Sequence, residues 1–155
     1  MKWVTRERPN IDRIACPWLV RRFVEADAEF LYVPTEKVFE VAATTGAVPY
    51  DIPGAEPFTH VGELCSFDAF LTHYNLTDPA LQRLAIIVRA ADTARLDLAP
   101  QAAGLLAISL GLSASYQDDH AMLDHAMVVY DAFYAWCGGH EHETHNWTPA
   151  SGTPA

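Results

Sequence analysis

The sequence predicts an α/β protein with a small open sheet in its N-terminal half and a helical C-terminal half. Strand and helix signals alternate as β-α-β-α-β through residue 50. Residues 51–62 are rich in Pro and Gly and show no periodicity, and the remainder reads as successive helices. With 155 residues the chain has room for one domain with its own core. That domain is expected over 1–137, with 138–155 as a flexible His-containing tail.

Residues 2–5 form the first expected strand. Asp12 is placed to cap a helix reaching about residue 24, because Ile14, Ala15, Trp18, Leu19 and Phe23 fall on one face. Pro17 either kinks that helix or marks its true first turn, with Cys16 as the cap. A second strand is expected at 30–33, a helix opened by Thr35 through about 44, and a third strand at 47–50. The loop 51–62 starts where that strand ends, and in open α/β sheets ligands gather beyond the C-terminal strand ends. Later helices are expected at 66–74, from Asp78-Pro79 to about 94, at 100–110 and at 118–136. Trp18, Phe23, Phe67, Phe70, Tyr130, Phe133, Tyr134 and Trp136 recur at helical spacings and are assigned to the core.

Charge is unevenly spread. Residues 2–23 hold six basic side chains against two acidic ones, in a chain whose net charge is −10. An arginine's planar fork suits oxyanions, so this basic corner reads either as an anion grip or as a set of structural ion pairs. The acidic remainder makes nucleic acid an unlikely partner for this chain alone. No apolar run approaches the roughly 20 residues a membrane span needs, and the start is basic and strand-like rather than a signal region, so a cytoplasmic location is expected. Cys16, Cys65 and Cys137 contain no C-x-x-C pair, which argues against a disulfide framework. Neither a Gly-rich phosphate loop nor a G-x-S-x-G elbow occurs, which removes the common nucleotide-binding and serine-hydrolase readings.

The 51–65 stretch gathers Asp51, Glu56, His60, Glu63 and Cys65, a donor mix that can ligate zinc, manganese or iron. Structural roles for the same residues stay open: a turn cap for Asp51, an arginine partner for Glu56, a half-buried imidazole for His60. Asp92 lies in an apolar helix, where an inward carboxylate needs a charged partner or a metal. Asp118 and Asp119 suit a helix start, while His120 and His125 are five apart and so do not form an i, i+4 metal pair. The H-x-H-x-x-H run of the tail is a further place where a transition metal could bind.

Three separated runs, W-V-T-R-E-R-P-N-I-D-R-I-A-C-P-W-L-V-R-R-F, Y-D-I-P-G-A-E-P-F-T-H-V-G-E-L-C-S-F-D and D-D-H-A-M-L-D, resemble the C-terminal domain of ChrB, the chromate-resistance regulatory protein, over about residues 3–136. The resemblance implies a link to chromate, a tetrahedral dianion. It marks Arg6, Arg13, Arg21 and Arg22 as oxyanion contacts, and Asp51, Glu56, His60, Cys65, Asp119 and His120 as further site residues. The DNA-binding role of the longer regulator does not carry over, and membership does not establish a reaction. The order Asp12, Asp51, His60, Asp92 is also similar to that of metal-dependent phosphoesterases, without their adjacent His-His dyad.

Three expectations result. The first is an accessory or sensor protein of chromate resistance that binds chromate or a similar oxyanion and a divalent metal. The second is a metal-dependent hydrolase with Asp12, Asp51, His60 and Asp92 as ligands and Glu63 as general base. The third is an interaction module for a regulatory protein. Chromate reduction by the thiols ranks last, because Cys65 and its fellows lack a resolving partner.

Overall fold

Three strands, β1 (Lys2–Arg6), β2 (Glu29–Val33) and β3 (Val48–Pro49), form a parallel sheet in the order β2-β1-β3. The structure, a computed structural model, describes residues 1–145. Side chains alternate across the central strand: Trp3 enters the larger core and Val4 the smaller one on the opposite face. Helix α1 (Asp12–Phe23) covers the first face through Ile14 and Leu19, and α2 (Val38–Thr45) covers the second through Val38. Burial on both faces is what a parallel sheet requires. The expected third strand shrinks to two residues: the Tyr50 N–H makes the last bond to β1, at 3.1 Å to the Val4 carbonyl, and Asp51 then turns the chain at φ 50°.

The second half is helical: α3 (Ser66–His73), α4 (Pro79–Asp92), α5 (Ala102–Ser115) and α6 (Asp119–Cys137). Asp78 caps α4 by accepting the Ala80 N–H at 2.8 Å, and Asp118 caps α6 by accepting the His120 N–H at 2.9 Å. Two boundaries differ from expectation. A 3₁₀ turn, Thr35–Lys37, precedes α2, and α5 runs five residues past the expected end, since one glycine lowers helix propensity without ending a helix that packs on its neighbours. Among the described residues no helix is long and apolar enough to cross a membrane. At the end of α6, Arg83 donates to the Cys137 carbonyl and pairs with Glu141 at 2.8 Å. The last part of the expected tail, 146–155, lies outside the described residues.

Pro17 neither starts α1 nor stops it. Lacking an N–H, it leaves the Arg13 carbonyl without its intrahelical donor. Two tyrosine hydroxyls supply the missing bonds, Tyr32 at 2.9 Å and Tyr50 at 3.1 Å. The proline therefore ties the first turn of α1 to β2 and to the residue following β3. That turn carries Asp12 and Arg13.

The basic corner disperses on folding. Arg21 donates to the Ala28 carbonyl at 3.2 Å and lies over the Phe30 ring. Arg22 forks onto Asp131 through two 2.9 Å bonds, and the same carboxylate accepts the Trp18 indole N–H at 2.7 Å. Arg8 gathers carbonyls at the end of α5 and pairs with Asp119. Because Trp18 is fully buried, Asp131→Ala is expected to destabilise by about 1–3 kcal/mol through the orphaned indole N–H, and Asp131→Asn by less. The Arg22 pair and the indole bond hold the Asp131 carboxyl below the usual range. Its contribution is thus present above the unfolded pKa and lost as pH falls through the lower folded one. Acid unfolding of wild type against Asp131→Asn checks the sign: the variant should show the shallower loss.

Candidate metal centre

The crevice lies beyond the C-terminal ends of β1 and β3, where the chain leaves β1 toward one side of the sheet and β3 occupies the other. This is the switch point at which an open α/β sheet leaves room for a ligand. Asp12 enters as the first residue of α1, Asp51 follows β3, and Asp92 is the last residue of α4. Asp51 sits at φ 50°, a left-handed conformation that Asp tolerates better than most residues. His60 comes from the long loop, one residue before a tight turn closed by an isolated bridge between Val61 and Leu64.

Their polar atoms converge. His60 Nε2 lies 3.0 Å from Asp92 Oδ2, 3.4 Å from Asp51 Oδ1 and 3.6 Å from Asp12 Oδ2. Ligand atoms of Asp12, Asp51 and His60 all fall within 4.8 Å of one another. With metal bonds of about 2.0–2.2 Å, donors on one ion stand about 3.0–3.4 Å apart, close to this spacing. One oxygen is conspicuous: Asp12 Oδ1 is buried and, among the described residues, has no hydrogen-bond partner. A carboxylate oxygen out of water without a donor is energetically costly, and a cation is the partner that fits it. One imidazole with three carboxylates is a donor set for zinc, manganese or iron.

The electrostatics point the same way. Burial, then the nearby Asp92 and Asp51 carboxylates, pushes the Asp12 carboxyl well above its usual range. Burial and Asp51 push Asp92 up as well. The hydrogen bond that His60 donates to Asp51, with the Asp92 charge adding to it, raises His60 against the opposing effect of desolvation. Two helix N-termini temper the repulsion. The Ser66 N–H at the start of α3 donates to Asp12 Oδ2 at 2.6 Å, and the Asp12 N–H at the start of α1 donates to Asp92 Oδ1 at 3.4 Å. Sequence places Asp12 as the cap of its own helix, but α1 begins at Asp12 itself with Ile11 before it, and the Asp12 carboxylate accepts instead from the first N–H of α3.

Arg6 and Arg13 flank the cluster. Arg6 Nη2 donates to the Asp51 carbonyl at 2.6 Å and reaches its Oδ2 at 3.4 Å, while Arg13 Nε stands 3.6 Å from the same oxygen. Ser66 is the residue that sequence reasoning missed. It is fully buried, and its hydroxyl donates to Asp51 Oδ1 at 2.6 Å while its N–H holds Asp12. The legible signal was its place one residue inside a capping box formed by Cys65 and Asp68.

Other candidates are not brought to this point. Glu56 is exposed, and Glu63 is exposed in the turn beyond His60. Asp119 pairs with Arg8, and exposed His120 packs its ring edge against Tyr32. Arg21 and Arg22 are bound at the far end of α1. Cys65 is buried beneath the cluster, where desolvation and the Asp12 and Asp68 carboxylates push its thiol far up; its proton goes to Asp68 Oδ2 at 3.3 Å. A thiol so held resists forming the thiolate that redox chemistry needs.

Comparison with known proteins adds two findings. The family described as ChrB, C-terminal domain, matches residues 3–137. Protein ChrB of Cupriavidus metallidurans is 33% identical over 134 residues, which cover 86% of this chain and 40% of that protein. The chain thus spans less than half the length of this curated relative. No solved structure matches it.

Proposed function

The chain belongs to the family of the ChrB C-terminal domain, and from that premise we propose that it serves chromate resistance as an oxyanion-binding protein built around a divalent metal. Asp12, Asp51, His60 and Asp92 hold the ion. The observation that carries this reading is the unpartnered, buried Asp12 Oδ1 inside a cluster whose imidazole is 43% exposed. The ion would sit deep among the carboxylates and meet solvent on the His60 side. Arg6 and Arg13, at 33% and 19% side-chain exposure, stand where a tetrahedral dianion approaching the ion would find donors. When bound, the metal supplies positive charge toward an oxyanion; the arginines orient it.

A hydrolase of the phosphoesterase type would use the same four ligands. The base it needs, Glu63, is exposed in the turn and has no hydrogen bond among the described residues, so binding is favoured over turnover. A regulatory protein remains a partner within the proposal, not an alternative to the centre.

The test is chromate tolerance in cells lacking their own copy, supplied with wild type, His60→Ala or Arg13→Gln. Protection by wild type and its loss in both variants, with circular dichroism unchanged, is the expected outcome. Full protection by His60→Ala would remove the metal centre from the function. Titrating purified, metal-loaded protein with molybdate, a non-oxidising analogue, separates anion binding from thiol oxidation.

A further inference from the structure

A hollow of about 600 Å³ is lined by residues that neighbour the candidate metal centre along the chain. Its lining begins two residues past His60, at Gly62, and one residue past Asp92, at Thr93. Leu64, Ile86 and Leu98 wall it and are 41%, 41% and 42% exposed, so apolar surface faces water here. Arg89 lies among them. Its side chain is only 23% exposed, yet among the described residues its guanidinium makes no hydrogen bond, and its carboxylate neighbour Asp68 stands 3.8 Å away. The Cys65 N–H and thiol engage Asp68 Oδ2, which leaves Oδ1 to the long pair with Arg89. Arg95, the other arginine of the hollow, is different: Asp97 holds it through two 3.0 Å bonds. Arg89 is thus a half-buried cation that has one long ion pair and, among the described residues, no hydrogen bond through its fork. Apolar walls with a few placed polar groups are how sites for small organic molecules are built.

We propose that this hollow is a second subsite, and that the ligand of the centre is larger than an inorganic oxyanion. The inference rests on the metal-centre reading above. A phosphate or similar oxyanion occupies the centre; an aromatic group lies against Leu64, Ile86 and Leu98; and a carboxylate on that group takes the fork of Arg89. Chromate fills only the first part of such a site. The substrate class is therefore an organic oxyanion with an apolar body and a second negative charge.

Calorimetric titration of the full-length, metal-loaded protein with inorganic phosphate, phenyl phosphate and 4-carboxyphenyl phosphate tests this. Phenyl phosphate is expected to bind on the order of tenfold tighter than phosphate through apolar burial, and the added carboxylate about tenfold tighter again through the charge-assisted fork. Arg89→Gln should remove the second step alone. Ile86→Asn and Leu98→Asn, at exposed positions that the fold tolerates, should remove the first. Equal affinity for all three probes in a protein that binds metal and phosphate overturns the hollow and leaves the centre standing. An advantage that survives all three substitutions also overturns it. A wild type that takes up no metal and no phosphate overturns both.

Discussion

Saturating divalent ion is expected to raise the melting temperature by roughly 8–16 °C. Ligand at about 1,000 times its Kd stabilises the folded state by about 4 kcal/mol, provided the unfolded chain binds little. A domain of this size gains about 2–4 °C per kcal/mol. The unfolded chain scatters Asp12, Asp51, His60 and Asp92 over eighty residues, so only the folded state presents the site. In His60→Ala the shift should vanish while the metal-free melting temperature falls by a few degrees at most, because His60 is 43% exposed and what it loses is its contact with three carboxylates. Replacing His140, His142 and His145 together by Ala should leave the shift whole. Zinc, manganese and ferrous iron are each scanned with EDTA as the reference. A shift that persists in His60→Ala and disappears in the triple variant would place the metal on the tail and sink the centre.

The second large effect is a reversal of sign at Asp12. Its carboxylate is fully buried, lies beside two others, and has one oxygen without a donor. Asp12→Asn removes the charge, keeps an acceptor for the Ser66 N–H, and offers an amide to the neighbouring carboxylates. In EDTA the variant is expected to be the more stable by about 1–4 kcal/mol, as when buried charge is replaced by a neutral group of similar volume. With metal the order should invert, since a neutral amide is a poor replacement for an anionic ligand, and a hundredfold loss of affinity is about 2.7 kcal/mol. Thermal melts of both proteins with and without metal check it. If Asp12→Asn is destabilising under both conditions by the same amount, the carboxylate is a structural cap of α3 and not a ligand.

Such a site is easier to read in parts than as a whole. Asp92 stood out in sequence because a carboxylate on an apolar helix needs a reason, and the loop around His60 stood out for its donors. The arginines could be read two ways, since five of them within seventeen residues make either one patch or several separate pairs. A helix turns about 100° and rises about 1.5 Å per residue, so Arg22 lies on the side opposite Arg13 and Arg21 lies two turns farther along, and each finds its own partner in Asp131 or Ala28. Ser66 was invisible because its value lies in two contacts, to Asp12 and Asp51, that are 54 and 15 residues away in the chain. Pro17 illustrates the reverse case. Its missing N–H was legible, but the two tyrosines that answer it come from β2 and from the residue after β3.

What the sequence by itself determined is the class of fold, the family, the order and approximate limits of the helices, and the short list of groups able to bind a cation or an anion. These follow from local quantities: apolar period, capping residues, donor chemistry. Which of those groups meet was decided only by the tertiary structure. The β2-β1-β3 order sets the ends of β1 and β3 side by side, and α4 delivers Asp92 to the same crevice. Long-range strand pairing and helix packing set those distances, and neither leaves a local mark in the chain.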